Sequence, residues 1–260
     1  MEEKTRRILH VRPETLRYAL STAILDLTQQ QRDVFGLLLW LGTMDQKRVA
    51  DVDFLPGLAR MMEDGMTVDS VEELRTQASI VALDLSLCRY VDSAITFFRD
   101  ACAIGLLLNP VPLRSAQKQM SLNEVLGFDS MPELVASLAV RKSQEMARDD
   151  FQLLAFCADT LKMPVFADES ERLQAKTAIR TRNLLVHNSG RIDARHVKAL
   201  NLGVEMIDQQ VELTYGFVRS LIAVFDTSTE RVAAHLESEW REHFPDIEDP
   251  TVSPTEVKDT

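Results

Sequence analysis

The stretch RTRNLLVHNSGRID, residues 181–194, gathers residue types that suit a phosphodiester. Arg182 carries a permanently charged, planar guanidinium that can meet phosphate oxygens with two parallel hydrogen bonds. His187 carries an imidazole, the side chain that exchanges protons near neutrality. Asn183 can orient that histidine or donate to a phosphate oxygen. Cleaving RNA by attack of the ribose 2′-OH on the adjacent phosphorus needs a base for the hydroxyl proton. It also needs a cation against the charge building on the phosphoryl oxygens, and the attacking and leaving oxygens held in line. Arg182, Asn183 and His187 are therefore the catalytic candidates. Arg180, Asn188, Arg191 and Arg195 are secondary candidates for holding RNA phosphates. This chemistry asks for no metal and no cofactor, and none is expected.

The same residues have plainer uses. A histidine near a helix C-terminus is a favourable partner for the helix dipole, or a cap, and scattered arginines solvate a surface. Arg182 and His187 are five apart, about 140° around an ideal helix. They flank one groove only if the last turn loosens near Gly190, or if a second subunit shares the groove. Ala175, Ile179, Leu185 and Val186 are available to face a core. Asn188-Ser189-Gly190 should end the helix, since glycine tolerates the positive φ of a C-terminal exit. His10, His196, His235 and His243 read as surface residues.

Arg-Asn-x-x-x-His followed by Asn-x-Gly resembles the signature of the HEPN superfamily (higher eukaryotes and prokaryotes nucleotide-binding domains). Its ribonuclease members carry an Arg followed by a polar residue, with a His shortly beyond. Here these are Arg182, Asn183 and His187. RNLLVHNSGRID looks like the bacterial branch of the family. The resemblance covers roughly residues 120–227, and nothing comparable is found in residues 1–110. It implies a helical bundle and a metal-independent endoribonuclease leaving a 2′,3′-cyclic phosphate and a 5′-hydroxyl. It also implies a homodimer with both Arg/His sets lining one cleft. A toxin or antiviral role, with an antitoxin or regulatory protein as partner, follows by analogy alone. Two further pairs compete for the motif. Arg191 and His196 share the spacing, but Ile192 lacks the polar group after the Arg. Arg180 with His187 fits a longer spacing and is followed by Thr181. The alternative reading is a non-catalytic interaction or nucleotide-binding module.

Composition bounds these readings. The 260 residues carry a formal net charge of −11, which argues against a protein that coats nucleic acid without regard to sequence. Yet between Glu171 and Lys198 seven Lys or Arg residues face only two acidic ones. One basic segment in an acidic chain suits a confined anion site. The most apolar runs, FGLLLWLG and ACAIGLLL, are far shorter than the ~20 residues that cross a bilayer. MEEKTRRILHVRPE is not a secretory signal. A cytoplasmic protein without membrane contact is expected. Cys88, Cys102 and Cys157 are well separated, form no CxxC or Cys/His cluster, and are expected to be buried reduced thiols. No P-loop, Rossmann or zincin motif occurs. The carboxylates of DESE, residues 168–171, suit a helix start, and EWREHF, residues 239–244, a solvated helix end.

The elements that must position the motif are helical throughout. Leu, Ala, Glu, Arg and Gln recur, and no segment alternates with period two. Helices are expected at 14–42, 69–108, 131–147, 149–162, 169–188, 194–227 and 228–243. The second carries a stripe of Leu74, Ala78, Val81, Leu85, Cys88, Val91, Ile95, Phe98 and Cys102. The helix at 194–227 carries Val204, Ile207, Val211, Tyr215, Val218, Ile222 and Phe225. NPVPLR, residues 109–114, breaks the chain, because proline cannot continue a helix. The expected arrangement is an all-α helical bundle. An N-terminal helical region of unknown role spans 1–110, a HEPN-like domain 115–244, and a disordered acidic tail 245–260.

Overall fold

The computed structural model describes residues 68–114, 120–200 and 202–243. The expected helix at 14–42, His10 and the tail at 245–260 lie outside them. Among the described residues seven α-helices follow one another: α1 Val68–Leu108, α2 Leu122–Leu126, α3 Met131–Met146, α4 Asp150–Ala155, α5 Glu169–Asn188, α6 Ala194–Leu200 and α7 Tyr215–His243. No strand occurs among the described residues, only one antiparallel bridge between Arg191 and Gln210. The all-α class is as expected from composition.

Most helix starts are written in local side-chain chemistry. Ser121 and Glu124 form a capping box on α2. The Ser130 hydroxyl accepts from Glu133 N–H at the start of α3, with Pro132 in the first turn. Asp149 accepts from the N–H groups of Phe151 and Gln152, both at 3.1 Å, and opens α4. Asp168 accepts from Glu171 N–H at 2.9 Å and opens α5, while the Glu171 carboxylate returns to Ala167 N–H at 2.8 Å. Each such cap satisfies donors that a helix start leaves orphaned.

The chain divides into two compact units. Of the described residues, one holds those within 98–165 and 230–243, the other those within 68–97 and 166–229. In the first, Phe98, Cys102 and Leu106 of α1 are fully buried, as are Leu153, Leu154, Val165, Val232 and Leu236. Residues 156–160 continue α4 as a π-type turn. It carries Cys157, whose thiol donates to the carbonyl of Phe98 at 3.8 Å. The ends of the Met163 and Leu161 side chains lie against Gly105 of α1, in the space a Cβ would take. Arg231 of α7 donates to the carbonyls of Pro164 and Val165, at 3.1 and 3.0 Å.

In the second unit, Leu87, Tyr90, Val91, Ala94 and Phe97 of α1 are buried, with Ala175, Ala178 and Ile179 of α5 and Val218 and Phe225 of α7. The Tyr90 hydroxyl donates to the Asp226 carboxylate, linking α1 to α7. A smaller cluster of Leu184, Ile192 and Val197, with Met206 and Val211 against it, holds the turn after α5.

Two expectations are corrected here. The stripe on α1 is out of phase at Val81 and Leu85, which are exposed, whereas Leu87, Tyr90 and Ala94 are buried. The expected helix at 194–227 is broken. α6 stops at Leu200, a short 3₁₀ turn occupies Val204–Met206, and α7 begins at Tyr215 and runs through 228 without interruption. Val204 is 75 % exposed and Ile207 and Tyr215 are exposed as well, so of that seam Val218, Ile222 and Phe225 are core and Val211 packs half-buried against the smaller cluster.

Candidate functional site

α5 runs as an unbroken helix from Glu169 to Asn188 and then leaves through left-handed backbone, Ser189 at φ 50 and Gly190 at φ 77. Gly190 N–H donates to the Leu184 carbonyl at 3.0 Å, closing the helix end. The next residues turn back onto the 208–211 segment. Ile192 N–H reaches the Gln209 carbonyl at 2.9 Å, Asp208 N–H the Ile192 carbonyl at 2.8 Å, and Val211 N–H the Gly190 carbonyl at 2.9 Å. The Gln210 amide donates to the Ser189 carbonyl at 2.9 Å. A Cβ on Gly190 would lie 2.4 Å from that amide nitrogen. Gly190→Ala is therefore expected to lose about 1–3 kcal/mol through the left-handed backbone and to displace Gln210. Urea denaturation is the check, and an unchanged midpoint would refute this account of the helix end.

Arg182 points toward α1. One terminal nitrogen sits 2.5 Å from the Asp92 carboxylate, and the other donates to the side-chain oxygen of Asn183 at 2.8 Å. Its side chain is 20 % exposed, that of Asp92 47 %. A pair this open to water contributes about 0–1 kcal/mol, so its consequence is orientation and partial neutralisation of Arg182. Cys88 stands one turn before Asp92. Its thiol is pushed up to about 11, first by burial and then by Asp92, with Arg182 pulling the other way. It is thus protonated at neutral pH and unsuited as a nucleophile.

His187 lies in the last turn of α5, exposed, with no hydrogen bond or ion pair among the described residues. Because α5 stays regular to its end, the five-residue separation leaves Arg182 and His187 about 140° apart around the axis. One chain does not bring them together. Asn183 is half-buried and belongs with Arg182 by its hydrogen bond. Asn188 turns to its own exit loop, donating to the Arg191 carbonyl at 2.5 Å. Arg191 is exposed and reaches the Asp208 carbonyl at 3.4 Å. Arg195 is exposed on α6.

His196 departs from its expected surface position and is only 5 % exposed. Asp193 opens α6 by accepting from His196 N–H at 2.7 Å. Burial holds the imidazole below its ordinary pKa; Asp193 opposes this, and the nearby Arg180 charge adds to it. Arg180 is itself half-buried, and its Nε is shielded without a partner. Of the functional neighbours, sequence reasoning missed Asp92 and Gln210. Neither belongs to a local motif, and each meets the α5 terminus only through the fold.

Among the described residues no group of three His, Cys, Asp or Glu side chains is gathered for a metal, and no helix is long and apolar enough to cross a membrane. Comparison of the chain with protein-family models, with curated proteins and with solved structures finds no match.

Proposed function

We propose that the chain is a metal-independent endoribonuclease of the HEPN type, with its site at the C-terminal end of α5. One observation carries the reading: Arg182, Asn183 and His187 occupy the last two turns of a single helix that ends in a left-handed exit. There Arg182 is steadied by Asp92 and Asn183, while His187 stands exposed and without a partner among the described residues. The imidazole takes the ribose 2′-OH proton as that oxygen attacks phosphorus. The 5′-oxygen leaves and is protonated, and a 2′,3′-cyclic phosphate remains. A guanidinium that arrives oriented stabilises the phosphoryl charge without reorganising. Because Arg182 and His187 diverge on one helix, the working cleft takes Arg182 from one protomer and His187 from its partner. The role as a toxin or defence effector, held by an antitoxin or regulatory protein, belongs to the same proposal.

A second reading, a non-catalytic module binding a nucleotide or an acidic partner, is favoured by one fact: Asp92 already offsets part of the Arg182 charge. Complementation separates the two. Arg182→Ala and His187→Ala proteins are each expected to be inactive on RNA. Unfolded together and refolded, they should regain roughly a quarter of wild-type cleavage, since a mixed dimer keeps one intact Arg/His pair. An active wild type whose variants fail to complement would place the whole site in one chain. Wild type and variants all inactive, with dimers formed, would favour the module.

A further inference from the structure

We infer that Arg180 grips an RNA phosphate beside the scissile bond, on the same face of α5 as His187. The inference rests on the ribonuclease reading and names a binding residue that the Arg-Asn-x-x-x-His pattern does not contain. Seven residues separate Arg180 from His187 on an uninterrupted helix. That is about 20° around the axis and about 10 Å along it. Asn183 stands between them on the same stripe, and Lys176 and Arg172 continue it toward the start of the helix. Of the two acidic residues in the first turn, Glu169 and Glu171, only Glu169 falls on this stripe, some three turns from Arg180.

The fold makes little use of the Arg180 charge. Among the described residues Arg180 has no hydrogen bond and no ion pair, and its Nε is shielded from solvent. The ionisable neighbour that feels it is His196, buried on α6. A half-buried guanidinium without a counter-ion carries a desolvation cost that an incoming phosphate would offset, through bonds strengthened by partial exclusion of water. Arg182 lies about 160° away around the helix, and although its Nε is likewise shielded without a partner, its terminal nitrogens are engaged by Asp92 and Asn183. The two arginines thus divide the work. Arg182 is pre-oriented by protein groups, and Arg180 is left for the ligand.

Binding of a fluorescent single-stranded RNA oligonucleotide to the His187→Ala protein, titrated between 50 and 200 mM salt, tests this without cleavage. Adding Arg180→Ala is expected to weaken binding and to flatten the slope of log affinity against log salt by about 0.7, the share of one phosphate contact on a single strand. The advantage of the parent should then shrink about 2.6-fold across that salt range. Arg180→Lys should keep the slope, and in the active protein Arg180→Ala should raise KM with little change in kcat. Arg180→Gln, which loses the charge but keeps most of the stem, serves if Arg180→Ala does not fold. RNA binding with an unchanged slope in the neutral variants overturns the role of Arg180, as does an equal loss in Arg180→Lys. If wild-type cleavage persists in that case, the ribonuclease reading survives. Absence of both binding and cleavage removes the two together.

Discussion

Replacing His187 with alanine is expected to lower the single-turnover rate of RNA cleavage by about 10²–10⁴-fold, the usual contribution of a positioned general base. The loss should come with almost no change in folding. His187 is exposed and bonds to nothing among the described residues, so its structural contribution reduces to a charge at a helix C-terminus, about 0.3–1 kcal/mol when protonated. The α5 end is held by other groups: the left-handed turn at Ser189 and Gly190, the Asn188 bond to the Arg191 carbonyl, and the Gln210 bond to the Ser189 carbonyl. None of them touches the imidazole. Rate measurements beside thermal melts make the check. A full melt with a lost rate is the expected pair, and a retained rate would remove His187 from the chemistry.

The largest expected effect on stability lies far from the motif in sequence. Phe98→Ala should cost about 3–5 kcal/mol, a transfer loss plus the cavity left behind. Phe98 is fully buried, one turn before the equally buried Cys102, and its carbonyl accepts the thiol of Cys157. Leu153 and Leu154 of α4, in the same compact unit, are fully buried as well, so little water reaches this core to soften the loss. Native domains hold only about 5–15 kcal/mol in total, so the variant should unfold at visibly lower urea. A cost below about 1 kcal/mol would mean that the surroundings collapse to fill the space, or that α1 is not the spine of this core. Leu85→Ala is the internal control. Leu85 sits on the same helix but is exposed, and a surface change of this kind usually stays within about 0.5 kcal/mol.

The contrast between Leu85 and Phe98 shows what the sequence could carry. Helix ends written in local chemistry were legible: Asp168 opens α5 and Asn188-Ser189-Gly190 closes it, because capping side chains and a left-handed glycine act within a few residues. The proline pair at 110 and 112 marked the end of α1 for the same reason. The stripe of α1 was less legible. A long helix buried along more than one side does not present a single apolar line, and Val81 and Leu85 were indistinguishable by type from true core residues. The segment after α6 misled outright. Val204, Ile207 and Val211 recur at helical spacing, but backbone pairing of 208–211 with 190–192 takes those residues out of a helix. No local propensity encodes that pairing.

The candidate site divides in the same way. Arg182, Asn183 and His187 were visible as a string, and so was their angular separation on an ideal helix. That Arg182 turns to Asp92 was not, since they stand ninety positions apart and any of several acidic residues on α1 could have met it. The burial of His196 was equally hidden, since it depends on how α6 folds back over Leu184 and Ile192.

Metal-independent cleavage by α5 is tested by the chemistry of the ends produced when the purified protein meets a pool of single-stranded RNA with EDTA present. Fragments bearing 2′,3′-cyclic phosphates and 5′-hydroxyls are expected, formed by the wild type and absent with His187→Ala prepared in the same way. Fragments bearing 3′-hydroxyls and 5′-phosphates, cleavage abolished by EDTA, or cleavage that survives in His187→Ala would contradict this mechanism.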